Sequence, residues 1–145
     1  MLDSDNDAEI QAAGIEEAKQ IQYFSILFQP VENKSVWQNC AKAIVAKSDS
    51  ELHEYILNMF EWLKDLNWPG SAIILERLKQ FPSSTIGYWL SYSIKKAVKE
   101  KDALWLMGLA CLCTDPKIYN QLNRKEKKIM RKSMKKINLR FENTN

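Results

Sequence analysis

The sequence predicts an all-α fold, in which antiparallel helical hairpins form a stack or an irregular bundle of about six or seven helices. Apolar residues recur at spacings of three and four along almost the whole chain, which is the periodicity of helices. Only four glycines and four prolines occur in 145 residues, so turns are few and connections are short. The length suits one domain, and we predict a single helical domain over residues 1–145.

The first 33 residues form an acidic N-terminal extension. Residues Met1–Asn6 are polar and suggest a ragged start, whereas Ala8–Phe28 places apolar residues on one helical face. Pro30 ends this pattern, because proline lacks the amide hydrogen that a continuing helix needs. We therefore predict one helix in the extension, followed by a break at Gln29–Asn33.

Two helices are predicted in the next segment. The first spans Lys34–Lys47 and the second spans Glu51–Leu66, each with an apolar stripe at helical spacing. Between them, Ser48 and Glu51 are three residues apart, as in a capping box. The sequence therefore predicts that the second helix begins at this pair.

The segment 61–70 joins two helical patterns and holds two of the five tryptophans. Pro69 forces the first helix to end and the next to begin after it, which predicts a tight corner. The candidate partner-binding residues of the corner are Trp62, Asp65, Asn67 and Trp68. They can line a binding surface, since tryptophan is frequent at interface hot spots. Alternatively, Asp65 or Asn67 caps a helix end while the tryptophans pack between hairpins.

Three more helices and a basic C-terminal helix follow the corner. The three helices are predicted at Gly70–Phe81, Thr85–Glu100 and Ala103–Cys113. Prolines at positions 82 and 116 mark breaks between these patterns. The basic C-terminal helix is predicted over residues 117–140.

The C-terminal helix carries lysines and arginines on both sides of an apolar stripe, which is typical of a basic amphipathic helix. Such a helix can contact phosphates, an anionic membrane surface or an acidic protein face. It can equally be a terminal cap, because the end of a helical stack needs a polar outer face. The candidate partner-binding residues of this helix are Arg124, Lys127, Lys128, Arg131, Lys132 and Lys135.

Charge is distributed unevenly along the chain, although the net charge is only +3. Residues 1–66 hold twelve acidic and five basic side chains, a balance of −7. Residues 67–145 hold six acidic and sixteen basic side chains, a balance of +10. An asymmetry of this kind can steer association with a charged partner without identifying it.

The stretch from about Lys34 to Cys113 resembles the small bacterial domain-of-unknown-function family numbered 5071. Proteins of that family typically have an apolar helix that ends in Trp-Leu-x-Asp-x-Asn-Trp-Pro. The matching residues here are Trp62, Leu63, Asp65, Asn67, Trp68 and Pro69. The resemblance implies a helical fold similar to HEAT repeats and no assigned catalytic residues. It defines residues 34–113 as a family-like core and leaves the acidic extension and the basic last helix outside.

Residues able to support catalysis or to hold a metal are few. His53 is the only histidine, and no Cys or His lies near it in the sequence to complete a zinc site. The three cysteines, Cys40, Cys111 and Cys113, follow no secretory segment, which predicts reduced thiols in the cytoplasm. No stretch approaches the roughly 20 apolar residues of a membrane span. We therefore expect no cofactor, no metal and no transmembrane segment.

The leading functional prediction is a non-catalytic helical scaffold that binds another protein, most concretely an immunity-type protein that neutralises a cognate bacterial toxin. A small domain with an uneven charge surface and no reactive constellation suits a stoichiometric inhibitor. The alternative is a nucleic-acid-binding protein that uses the basic helix. A DNA glycosylase with a HEAT-like fold, using Asp65 with Trp62 and Trp68, is less favoured because the chain is short for enclosing a duplex. The partner and the oligomeric state stay open.

Overall fold

The computed structural model describes the backbone of residues 1–142 and the side chains of residues 1–138. These residues form helices and short 3-10 turns without any strand, so the all-α prediction is confirmed. The α-helices are α1 (Ala8–Lys19), α2 (Trp37–Val45), α3 (Asp49–Leu52), α4 (Ile56–Trp62), α5 (Ser71–Leu78), α6 (Ser83–Lys99), α7 (Ala103–Ala110), α8 (Pro116–Tyr119) and α9 (Arg124–Glu142). The 3-10 turns are Phe24–Leu27, Lys34–Val36, His53–Tyr55 and Cys111–Thr114.

Helices that follow one another along the chain pack side by side around one core. Helix α1 lies on α2, α2 on α5, and α4 on both α5 and α6. Helix α6 then contacts α7 and α8, and α9 packs against α7 at the end of the bundle. The largest buried side chains are Trp62 and Trp105, and the indole Nε1 of Trp105 donates to the carbonyl oxygen of Phe60 at 2.9 Å. This order places α9 on the outside of the molecule.

Two of the predicted helices differ most from their apolar patterns. The helix predicted at Ala8–Phe28 ends at Lys19, and Phe24 and Leu27 are buried from a 3-10 turn instead. The helix predicted at Glu51–Leu66 is divided by the 3-10 turn at His53–Tyr55. A 3-10 turn keeps side chains i and i+3 on one side, so an apolar spacing of three fits either structure.

The predicted capping box is present at the start of α3. The amide of Glu51 donates to Ser48 Oγ at 3.2 Å, and the amide of Ser48 donates to Glu51 Oε2 at 2.8 Å. The amide and the hydroxyl of Ser48 both donate to Glu51 Oε2, and these two bonds lower the pKa of the Glu51 carboxyl from its ordinary value of 4.5, because they favour the charged form.

The N-terminal residues are ordered against α2, so the expectation of a ragged polar start is wrong. The amide of Ser4 donates to the carbonyl oxygen of Ser35 at 3.1 Å. The buried side chain of Asn39 in α2 donates to the carbonyl oxygen of Leu2 at 2.9 Å and to Gln11 Oε1 at 2.8 Å. The acidic extension is therefore part of the domain core rather than an appendage.

Lys47 joins the end of α2 to the extension. Its ammonium donates to the carbonyl oxygens of Lys19 and Ile21 at 2.8 and 2.9 Å, and it lies 4.8 Å from the ring centre of Phe24. The side chain is 8% exposed. A lysine is buried here because backbone acceptors at the end of α1 replace the water that it loses.

Arg77 of α5 performs a similar role on the other side of α2. Its guanidinium donates to the carbonyl oxygens of Val45 and Lys47 at 3.2 and 2.9 Å, and to Asp49 Oδ1 at 2.6 Å. It also lies 4.7 Å from the ring centre of Phe81. Arg77 thereby fixes the connection between α2 and α3 onto α5.

The C-terminal segment predicted as one helix over residues 117–140 contains two. Helix α8 ends at Tyr119, and α9 begins at Arg124. Asn123 Oδ1 accepts from the amide of Glu126 at 2.8 Å, and Glu126 Oε2 accepts from the amide of Asn123 at 3.0 Å. This reciprocal pair starts α9 in the same manner as the capping box of α3.

Candidate binding surface

The corner between α4 and α5 buries its first tryptophan. Trp62 is fully buried, and its Nε1 donates to the carbonyl oxygen of Pro69 at 2.9 Å. Ser71 Oγ donates to the carbonyl oxygens of Trp62 and Asp65 at 3.2 and 2.9 Å. The indole therefore fills the core in this structure, and Trp62 presents no surface to a partner here.

Gly70 allows the corner to press against α2. Its φ of +86° is left-handed, and a Cβ on it would lie 2.7 Å from the Cβ of Ala41. Its amide donates to Gln38 Oε1 at 2.7 Å. Because only glycine adopts this φ without strain and fits this space, α5 begins where Gly70 stands.

The other candidate residues of the corner differ in exposure. Asp65 Oδ1 accepts from the amide of Asn67 at 2.9 Å, so the carboxylate holds the turn itself rather than capping α5. Asn67 is exposed, and Trp68 is half-buried with its ring edge-on to Trp37 at 5.6 Å between centroids. The corner thus brings Asp65, Asn67 and Trp68 together as a packed turn, and this geometry favours the structural interpretation.

Helix α9 separates a buried face from a basic one. Glu126, Met130 and Ser133 are buried. On the opposite side lie four exposed cations, which we name the cationic stripe. Its members are Arg124, Lys128, Lys132 and Lys135. At 1.5 Å per residue the stripe is about 16 Å long.

The remaining candidates of α9 are turned toward α8. The ammonium of Lys127 lies 5.3 Å from the ring centre of Tyr119, and Arg131 Nη1 donates to the hydroxyl of Tyr119 at 3.0 Å. Lys127 is half-buried, whereas Arg131 remains exposed. These two side chains help to hold α9 in place, and the stripe contains the other four candidates of this helix.

No carboxylate compensates the cationic stripe within the described side chains. The salt bridges formed among residues 1–138 do not involve any cation of α9. Glu126 is the acidic residue of the segment 124–138, and it is 5% exposed on the inner face. The stripe therefore presents positive charge that only solvent and mobile ions screen.

A groove on α6, which the sequence analysis did not identify, adjoins α9. Tyr88 and Tyr92 are 70% and 49% exposed, one helical turn apart. Trp89 packs edge-on to both tyrosines, with centroids 4.9 and 6.2 Å away. The groove has a volume of about 430 Å³, and we name it the tyrosine groove. Its lining side chains are Ser84, Tyr88, Ser91, Tyr92, Lys95 and Gln121.

One hydrogen bond connects the tyrosine groove to α9. Ser91 Oγ, in the groove wall, donates to Glu126 Oε2 at 2.9 Å in the first turn of α9. The sequence contained a signal for the groove, because Tyr88 and Tyr92 lie off the helical face that Ile86, Leu90 and Ile94 form at spacings of four. Aromatic residues away from a core stripe are candidates for an interface.

The thiols and the histidine do not form a reactive site in the described structure. Burial raises the pKa of the Cys40 thiol to about 11 and that of Cys113 to about 12, the latter with a smaller contribution from Cys111. His53 is exposed. Among the described residues, no group of three or more His, Cys, Asp or Glu side chains is arranged to hold a metal ion.

The observations define an all-helical domain with a cationic helix on its outer side. The chain belongs to the family described as Domain of unknown function (DUF5071), whose model matches residues 34–144. The match begins at Lys34 and includes α9 as well as the family-like core at 34–113. A search of curated proteins and a search of solved structures each found no match. None of the helices in the described part of the chain is long and apolar enough to cross a membrane.

Proposed function

We propose that this protein is a non-catalytic binding domain of the immunity type, which neutralises a cognate toxin in the cytoplasm by covering an acidic face of that toxin. The cationic stripe is the observation that carries the proposal. It consists of exposed side chains that form no salt bridge with another described side chain. Such charges gain more from an acidic partner than charges that are already paired, because no existing ion pair must first be broken.

The distribution of charge supports fast association with such a partner. The basic second part of the chain ends in α9, whereas acidic residues predominate before Asn67. An uneven charge distribution can orient a protein so that its basic residues meet an acidic surface during diffusion. An inhibitor that must act before its target does damage benefits from a high association rate.

The test combines identification of the partner with a charge reversal. The full chain is used to recover binding proteins from an extract of its host, and the recovered protein is purified for kinetics. We expect a one-to-one complex whose association rate at low salt falls at least about tenfold for Lys128→Glu with Lys132→Glu. The matched control is Lys42→Glu with Lys99→Glu, which makes the same charge change at exposed sites outside α9. Equal rates for both double variants would contradict the proposal.

Nucleic-acid binding is a second candidate, since phosphates would also neutralise the cationic stripe. It predicts a logarithm of affinity that falls linearly with the logarithm of salt concentration, with a smaller slope for the α9 double variant. A gel shift with duplex and single-stranded DNA at low salt distinguishes it from protein binding. A glycosylase is not favoured, because Trp62 is buried and Asp65 is used within its own turn.

A further inference from the structure

The tyrosine groove combines the features of an anchor site for a peptide. Tyr88 and Tyr92 offer two exposed rings separated by one helical turn, which Trp89 supports from the side. Tyrosine provides large contact area at low cost in conformational entropy, because only two side-chain torsions must be fixed. The lining includes one cation, Lys95, and no carboxylate. The groove therefore suits a ligand that pairs an apolar group with a negative charge.

We propose that the tyrosine groove binds a short acidic segment of the protein partner, with an aromatic or aliphatic side chain against Tyr88 and Tyr92 and a neighbouring carboxylate on Lys95. This inference rests on the proposed function and adds the chemistry of the segment that is recognised. The groove volume of about 430 Å³ lies within the range of sites that take small ligands. It can therefore hold the anchor side chain of a segment rather than a whole helix.

The position of the groove connects it to the cationic stripe. The Ser91 hydroxyl that donates to Glu126 at 2.9 Å is part of the groove wall, so α9 starts beside the groove. At Gly87, helix α6 packs closely on the segment that precedes α9. A Cβ on Gly87 would lie 2.3 Å from the Cβ of Gln121. A segment anchored on the tyrosines can place further carboxylates toward α9. The tyrosine groove and the cationic stripe would then bind the same partner.

Charge counting favours an acidic peptide over single-stranded nucleic acid in the groove itself. A strand stacked on two tyrosines carries a phosphate for every nucleotide, and proteins of that class surround such a strand with cations. The groove supplies only Lys95 among its lining side chains. A peptide carboxylate next to an apolar side chain requires one cation, which matches the site.

The test is a selection from a displayed library of random 12-residue peptides on the full-length protein. Peptides that also bind the Tyr88→Ala, Tyr92→Ala double variant are removed in each round. We expect the surviving peptides to share an aromatic or aliphatic residue beside Asp or Glu. Their affinity, measured by fluorescence anisotropy, should fall at least tenfold with Lys95→Gln and remain unchanged with Tyr23→Ala, which alters another exposed tyrosine. Circular dichroism checks that each variant is folded.

Selection of no common motif, or of a basic or uncharged one, would overturn the inference. It would also fail if a 12-nucleotide single strand of DNA displaced the selected peptides and bound more tightly than they did. Loss of self-association in the double variant, seen by light scattering of the protein alone, would assign the groove to a second copy instead. The α9 charge reversal tests the proposed function separately. If the charge reversal slows association with the partner while the tyrosine double variant binds the partner normally, only the groove assignment is wrong.

Discussion

Arg77 illustrates how single residues hold this bundle together through backbone acceptors. The guanidinium satisfies two carbonyl oxygens at the end of α2 and one carboxylate oxygen of Asp49. Arg77 is 7% exposed, whereas the side chain of Asp49 is about half exposed. The bonds to the carbonyl groups should therefore contribute more than the ion pair, because solvent weakens the attraction at Asp49.

We predict that Arg77→Met lowers the free energy of unfolding by about 2–4 kcal/mol, since it removes the donor from the buried carbonyl of Lys47 and from the partly buried carbonyl of Val45. Asp49→Asn should cost less than about 1 kcal/mol, because it removes a screened charge and keeps an acceptor oxygen. Urea unfolding followed by circular dichroism measures both. Equal losses in the two variants would mean that the ion pair, and not the carbonyl bonds, is the source of stability.

The capping carboxylate Glu51 gives a prediction for pH. Its pKa is lowered in the folded protein by the Ser48 amide and hydroxyl donors and by Lys47, so its contribution to stability is present above its ordinary pKa of 4.5. That contribution is lost as the pH falls through the lower, folded-state pKa. We expect Glu51→Gln to show a smaller decrease in melting temperature than the wild type as the pH is lowered from 5 to 3. An identical decrease would show that other carboxylates determine acid sensitivity.

At the scale of helices, local patterns located the elements but did not set their ends. The start of α3 followed from Ser48 and Glu51, whose spacing is sufficient to identify a capping box. The end of α1 at Lys19 had no proline or glycine to mark it, and it depends on Lys47, which is distant in sequence. The start of α9 also has a local signal, because Asn123 and Glu126 are three residues apart and bond each other reciprocally, as in a capping box.

We predict that Glu126→Ala destabilises the protein by about 1.5–3 kcal/mol, because the buried carboxylate accepts from Ser91 and from the Asn123 amide. The first turn of α9 should then exchange its amide hydrogens faster than the rest of that helix. Ser91→Ala removes one of these two donors and should cost less. Hydrogen exchange measured by NMR resolves the two variants, and uniform exchange along α9 would contradict a role at its start.

The candidate site was predictable only where charge alone defines it. The basic residues of α9 were evident in the sequence, since one apolar stripe leaves lysines on the other side. The sequence did not show which of these cations contact other residues. Lys127 and Arg131 both contact Tyr119 in α8, and this depends on how the two helices pack. Likewise, a tryptophan near a proline fits both a surface and a core, and only packing against α2 shows that Trp62 is buried.

For the molecule as a whole, the family match and the folded unit have different boundaries. The match begins at Lys34, but Phe24 and Leu27 before it are buried in the common core. Phe24 packs on Tyr55 at 4.9 Å between ring centroids, and Asn39 bonds Leu2. The first 33 residues thus contribute buried side chains to the same core as the matched segment.

We predict that the chain from Lys34 onward lacks a cooperative thermal transition and binds the dye ANS, because removal of the extension exposes Tyr55 and parts of α2. The comparison is with the full chain at equal concentration. Deletion of residues 1–6 alone should leave a cooperative transition at a lower melting temperature, since α1 remains. A sharp transition without dye binding in the shorter chain would show that residues 34–145 fold independently.

The contacts of the Lys47 ammonium predict which relatives keep a cation at this position. The carbonyl groups that accept from it belong to residues 19 and 21, upstream of the segment that the family shares. In a relative without an equivalent of those residues the ammonium would lose both carbonyl acceptors and its cover, so nothing in the fold would require a cation at this position. We therefore expect a cation at this position only in relatives that also carry the upstream helix, so that the two are inherited and lost together.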